Sequence, residues 1–177
     1  MVSSRHKDFG TTGFMVRRRV QDWNNNQQTE RGLSTHTTSP DMLNTDCYTH
    51  HAQRLFRSCE QWTRRQLLST QLPDHKLATQ LFYAPLALLS HGPEGDPIFN
   101  FGNQTARNLF EMSWDALTKL ASRESAEPVN RQERARLLER VNQNSFISDY
   151  RGIRISATGK RFAIERATVW NVVDEQN

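Results

Sequence analysis

Residues Ala84–Trp114 read APLALLSHGPEGDPIFNFGNQTARNLFEMSW, and the organisation of the chain follows from them. Leu86–Ser90 is an apolar run. The segment Gly92-Pro93-Glu94-Gly95-Asp96 then concentrates turn residues, with two Gly, a Pro and an Asp, and Pro97–Phe101 is a second apolar run. Two apolar runs around such punctuation predict a β-hairpin. Pro97 lacks the N–H a ladder needs, so it can only open the second strand. Asn103 suits a helix N-cap, because its side-chain oxygen can accept from a free N–H of the first turn. Ala106, Leu109 and Phe110 then share one helical face.

Downstream, Ser113 caps a short helix that has Asp115 in its first turn. Asn130-Arg131-Gln132-Glu133 reads as a capping box, followed by an apolar stripe of Leu137, Leu138 and Val141. The period then changes to two. Phe146–Ser156 predicts a strand whose apolar positions change parity near Gly152, which a bulge at Gly152 explains. Ala157-Thr158-Gly159-Lys160 is a turn. Arg161–Val173 is a long strand with Phe162, Ile164, Thr168, Trp170 and Val172 on one face, and Asp174–Asn177 reads as a further turn.

Upstream, Asp46 or Thr49 can cap a helix on which Leu55, Cys59 and Trp62 recur at one face. A lone helix of this kind is marginal in water unless that face finds a partner, either the domain itself or a second chain. Pro73-Asp74 breaks the chain, and a second helix carries Leu77, Leu81 and Phe82 before Ala84-Pro85 ends it. Residues 1–45 are polar, with Asn24-Asn25-Asn26-Gln27-Gln28, the basic run Arg17-Arg18-Arg19 and a single Trp23. Few apolar residues recur there, so a disordered tail is expected.

The order hairpin, Asn, short helix, Met and Trp resembles the opening half of a PAS domain. The wording is closest to the PAS-like MEKHLA domain family. The likeness continues through Ser122–Pro128, Glu133-Arg134 with Leu137-Leu138, Asp149–Gly152, Arg154-Ile155-Ser156 and Ala167–Asn171, covering about residues 52–177. It implies an α+β fold, a PAS-like antiparallel sheet flanked by short helices, and a role in sensing or protein interaction. A PAS sheet has five strands in the spatial order 2-1-5-4-3, as the resemblance implies. The candidates Leu86–Ser90, Pro97–Phe101, Phe146–Ser156 and Arg161–Val173 supply the first four, so the final, central strand is expected to be missing at the C-terminus. Three outcomes follow: an unstable truncated chain, a strand supplied in trans, or a sheet closed differently. The expected divisions are a tail at 1–45, helices at 46–83 and the PAS-like domain at 84–177.

Composition bounds the function. Hydrophobic residues make up 36% of the 177, and the mean hydropathy is −0.77. Residues 1–70 hold ten Lys and Arg against six Asp and Glu, whereas residues 71–177 hold 13 of each. The domain therefore has no basic excess to attract nucleic acid. Cys47 and Cys59 form no disulfide framework and match no zinc spacing. No run approaches about 18 apolar residues, so no membrane span is expected, and the cytoplasm is the expected location.

No nucleophile, base and metal set converges, so no catalytic residue and no metal site is assigned, and a non-catalytic module is expected. Ser90 and His91 are adjacent on a strand and face opposite sides. Flavin-adduct PAS domains carry an Asn-Cys pair where this chain has Asn103-Gln104. Haem PAS domains use a His on the long helix, and Arg131–Val141 has none. No cofactor is expected. A small organic ligand is left open, with Phe99, Phe101, Asn103, Phe110, Trp114, Phe162 and Trp170 as the candidate contacts. Leu55, Cys59 and Trp62 are the candidate dimer contact, so the expected partner is the chain itself or another protein. The alternatives are an enzyme using the PAS-like cavity and a fragment without independent function.

Overall fold

The computed structural model describes residues 11–16, 46–68, 73–126 and 131–173. The strands are β1 (Thr11–Val16), β2 (Ala87–His91), β3 (Phe99–Gly102), β4 (Phe146–Ile155) and β5 (Arg161–Val172). They form one antiparallel sheet in the order β3-β2-β1-β5-β4. The helices are α1 (Asp46–Thr63), α2 (Asp74–Phe82), α3 (Gln104–Phe110), α4 (Trp114–Leu117) and α5 (Arg131–Asn144), with a 3-10 turn at Ser122–Ser125. The fold is α+β and PAS-like.

The expected gap in the sheet is corrected. The central slot between β2 and β5 is filled by β1, from the stretch expected to be a disordered tail. Phe14 pairs with Leu89 on one side and with Val169 on the other. Both neighbours present ladder groups there, and unpaired N–H and C=O groups in a covered sheet are costly. Both faces of β1 are also used: Met15 joins the core under α1 and α2, and Phe14 and Val16 join the core on the opposite side. A strand covered on both faces reads as an unbroken apolar run rather than an alternation. Here that run is only Gly13-Phe14-Met15-Val16, followed by three arginines. The remaining positions of 1–45, with the basic run and Trp23, lie outside the described residues. So do Asn130 of the capping box and Asp174–Asn177.

The first face of the sheet is covered by α1 and α2, which bury Tyr48, Ala52, Leu55, Cys59, Leu77 and Leu81 against Met15, Leu88, Phe101, Trp170 and Val172. Helix α2 begins at Asp74, with Pro73 as its N-cap. The second face is covered by α3, α4 and α5, which bring Ala106, Phe110, Leu117, Leu137 and Val141 onto Val16, Ala87, Leu89 and Val169.

Asn103 ties these layers together. Its Oδ1 accepts from the N–H of Ala106 at 3.0 Å, which makes it the N-cap of α3, and from the N–H of Leu88 at 3.0 Å. Its amide donates to the carbonyls of Leu86 at 2.7 Å and Leu81 at 3.1 Å. Arg107, in a helical position suited to a small or apolar residue, is 7% exposed, and burial pulls its pKa down.

The β4–β5 hairpin turns through Gly159 at φ 83°. Its register shifts on both sides of Tyr150, with left-handed residues at Asp149 (φ 78°) and Arg166 (φ 57°). The expected single bulge at Gly152 is therefore corrected to two irregularities, one on each strand, and the second abuts Gly152.

Candidate functional site

Strand alternation sends Thr12 and Phe14 of β1, Leu89 and His91 of β2 and Val169 of β5 to the face under α5. Phe99, Phe110, Ser122, Ser125, Leu137, Leu138 and Arg154 complete the lining of a small open cleft. The lining is mostly apolar with a few polar groups, as is usual for small-molecule sites.

Arg154 is the one lining residue with a permanent charge, and it is 5% exposed. Its Nη2 donates to Tyr150 Oη at 3.0 Å and its Nη1 to the Ile153 carbonyl at 3.0 Å. Its Cζ lies 5.5 Å from the Tyr150 ring centroid, a cation–π distance. Gly152 makes room for the pair, because a Cβ there would collide with Tyr150 Oη and lie 3.3 Å from Arg154 Nη1. Phe14 packs edge-on against Tyr150, with centroids 6.1 Å apart, so the central strand supports the same arrangement. His91 Nδ1 is 3.0 Å from the Gly92 carbonyl, which can only accept, so Nδ1 carries the proton of that bond. Ser125 Oγ donates to the Ser122 carbonyl at 2.7 Å.

Of the seven expected ligand contacts, only Phe99 and Phe110 line this cleft. Phe101, Trp114 and Trp170 belong to the opposite core, where Phe101 and Trp114 stack around Tyr48 at 5.2 and 5.9 Å. Burial of that phenol drives its pKa upward. Phe162 meets Phe110 edge-on at 5.0 Å without reaching the lining. Asn103 is fully buried and its amide is occupied as a structural lock. Phe99 and Phe101 separate because Ser90 pairs with Phe101 while the next residue, His91, pairs with Phe99. Asn100 is the extra residue, and it turns two positions of one parity onto opposite faces.

The lining residues missed by sequence reasoning are of two kinds. Thr12 and Phe14 carry no signal until β1 is placed. Arg154 and His91 were visible, but only the sheet shows that both reach the same side.

Two of the three candidate dimer residues lie inside the domain. Leu55 and Cys59 are 0% and 1% exposed, covered by the chain's own sheet. Trp62 donates from Nε1 to the Asn171 carbonyl at 2.8 Å, and Ser58 Oγ accepts from the N–H of Val173 at 2.9 Å. The apolar face of α1 packs on the chain's own sheet, with Trp62 half-buried at its edge.

Ser90 and His91 do face opposite sides. Ser90 Oγ donates to Asn100 Oδ1 at 2.6 Å and stands 2.8 Å from His51 Nε2. With its one proton so used, Ser90 accepts from His51, the reverse of a base activating a nucleophile. Ser90 is fully buried. Desolvation, with the nearby Arg54, lowers the His51 pKa to about 4.

Among the described residues no group of His, Cys, Asp or Glu could hold a metal ion, and no helix is long and apolar enough to cross a membrane.

Two comparisons with known proteins bear on this geometry. The model of the MEKHLA domain matches residues 49–177. The homeobox-leucine zipper protein ATHB-9 of Arabidopsis thaliana is 27% identical over 126 residues, which cover 71% of this chain and 14% of that protein. The matched part is thus a small fraction of the relative's length. Strand β1 lies before the matched residues, whereas every other strand of the sheet lies within them.

Proposed function

The chain belongs to the MEKHLA domain family, and from that premise we propose that it is a non-catalytic sensor module that binds a small organic ligand in the cleft beneath α5 and signals to a partner protein. The observation that carries this reading is the composition of the cleft wall. Residues from β1, β2, β3, β4 and β5 meet there with residues of α3 and α5. A ligand in it touches nearly every layer of the fold, so its binding energy favours the fully assembled sheet over any opened form. The arrangement suits a sensor, in which occupancy has to alter the population of a state that a partner reads.

The enzyme alternative finds little support. The hydrogen-bonded pair of His51 and Ser90 is partly buried, away from the cleft and polarised in the wrong sense for a base and its nucleophile. The free cysteines, Cys47 exposed and Cys59 buried, suit the reducing cytoplasm in which we place the module.

Native mass spectrometry on freshly purified full-length protein, with thermal-shift screening of a small-molecule library, tests the reading. The expected result is a copurifying mass or a compound that raises Tm, with the effect lost on filling the cleft by Leu89→Trp. A chain that carries no added mass and whose Tm no compound moves overturns it.

A further inference from the structure

We propose that the cleft selects a small organic anion with an apolar body, a monocarboxylate of aryl or medium-chain type, and that Arg154 receives its carboxylate. This rests on the ligand-sensing reading above and names the chemical class it would recognise.

Arg154 is 95% buried, since only 5% of it is exposed. Among the described residues its guanidinium meets no carboxylate. Its protein acceptors among the described residues are one phenol oxygen and one backbone carbonyl, neither of them charged. A buried ion is strongly disfavoured unless it is paired and its hydrogen bonds are completed. Tyr150 and Gly152 nevertheless hold this guanidinium in place, the first by hydrogen bond and ring contact, the second by leaving space. The side chain is fixed, charged and at the wall of a cleft.

The rest of the lining narrows the ligand. It contains no Asp or Glu, so a cationic ligand would meet Arg154 with nothing to offset it. A carboxylate presents two oxygens in the plane that a guanidinium fork matches. The Thr12 hydroxyl adds a polar group on the β1 wall, and it makes no hydrogen bond among the described residues. Phe14, Phe99 and Phe110 make the greater part of the wall apolar, which disfavours inorganic phosphate and calls for a hydrocarbon or aromatic body.

Isothermal titration of the full chain with phenylacetate, cinnamate and octanoate, each against its own amide, tests this. The amides keep the shape and remove the charge. The acids are expected to bind at least about tenfold more tightly, the range of a charge-assisted hydrogen bond. Arg154→Met should abolish that preference and leave amide binding in place, and Arg154→Lys should restore part of it. If Arg154→Met does not fold, the acid–amide ratio in the unaltered chain decides alone. Equal binding, or a preference for the amides, overturns the anion class while leaving the cleft a ligand site. Binding of neither series, together with a silent library screen, overturns both this inference and the sensor reading.

Discussion

A Cβ placed on Gly13 would lie 2.5 Å from Cε2 and 2.7 Å from Cζ2 of Trp170, the residue paired with it across the β1–β5 ladder. The indole occupies the space that any other residue at position 13 would need. Trp170 is fully buried and hemmed in by the core beneath α1 and α2, so it has no room to step aside. Replacing Gly by Ala in a strand gains roughly 0.5–1 kcal/mol of backbone entropy. Overpacking a closed core costs about 1–3 kcal/mol. The second effect wins, and Gly13→Ala is expected to lower unfolding stability in urea by about 1–2 kcal/mol. In a double-mutant cycle with Trp170→Leu, the Gly13 penalty should shrink. Strictly additive penalties would mean that the indole does not set the requirement for glycine.

Strand β1 should be indispensable although it lies outside the family-matched residues. Its ladders to β2 and β5 each register five residue pairs. Losing such a strand orphans many backbone groups at about 1–3 kcal/mol each, against a total stability of about 5–15 kcal/mol. Deleting residues 1–16 is expected to abolish cooperative thermal unfolding. A synthetic peptide spanning Thr11–Val16 should restore it when added in trans. An unchanged Tm after the deletion would show that the slot is filled some other way.

Asn103 is expected to tolerate no substitution. Asn103→Asp puts a carboxylate oxygen opposite the carbonyls of Leu81 and Leu86, where the amide now donates. It exchanges two hydrogen bonds for buried repulsion, and the loss should exceed about 3 kcal/mol. Asn103→Ala leaves the N–H groups of Leu88 and Ala106 unserved as well, and should cost about 2–4 kcal/mol. Chemical denaturation measures both. A change below about 1 kcal/mol in either would contradict the assignment of Asn103 as the lock between β2, α2 and α3.

His51 gives the stability a defined pH dependence. Its folded pKa is about 4, below the ordinary value of 6.5, because the ring is desolvated and Arg54 is near. The unfolded chain therefore binds the proton more readily. The contribution of His51 is fully present above about pH 6.5 and is lost progressively as pH falls toward 4, by up to about 3 kcal/mol. His51→Gln keeps a donor for Ser90 and removes the titration. Urea midpoints between pH 4 and 7 should slope for the parent and flatten for the variant. Parallel slopes would assign the effect to other groups.

Local signals in the sequence were strong wherever one residue had one local task. The hairpin around Gly92–Asp96, the Asn103 and Ser113 caps and the Gly159 turn were legible because each is a contact within a few residues. The amphipathic face of α1 was legible as well, but not what would cover it. Leu55, Cys59 and Trp62 look the same in sequence whether a sheet or a second copy lies opposite.

The candidate site was harder to read. A list of aromatics carries no face, and one extra residue at Asn100 sent Phe99 to the cleft and Phe101 to the other core. Arg154 stood in plain view within a strand, but its meaning depends on what is missing around it. That no carboxylate among the described residues meets it is a property of three-dimensional surroundings.

Periodicity, caps and turns are short-range and are written residue by residue, and from them come the PAS-like α+β class, the order of most elements and the family. Which segment completes the sheet is set by long-range contacts instead. Nothing local marks Gly13-Phe14-Met15-Val16 as a strand. It is one because β2 and β5 leave unpaired ladders around a slot covered on both faces, and because Trp170 fits only over a glycine.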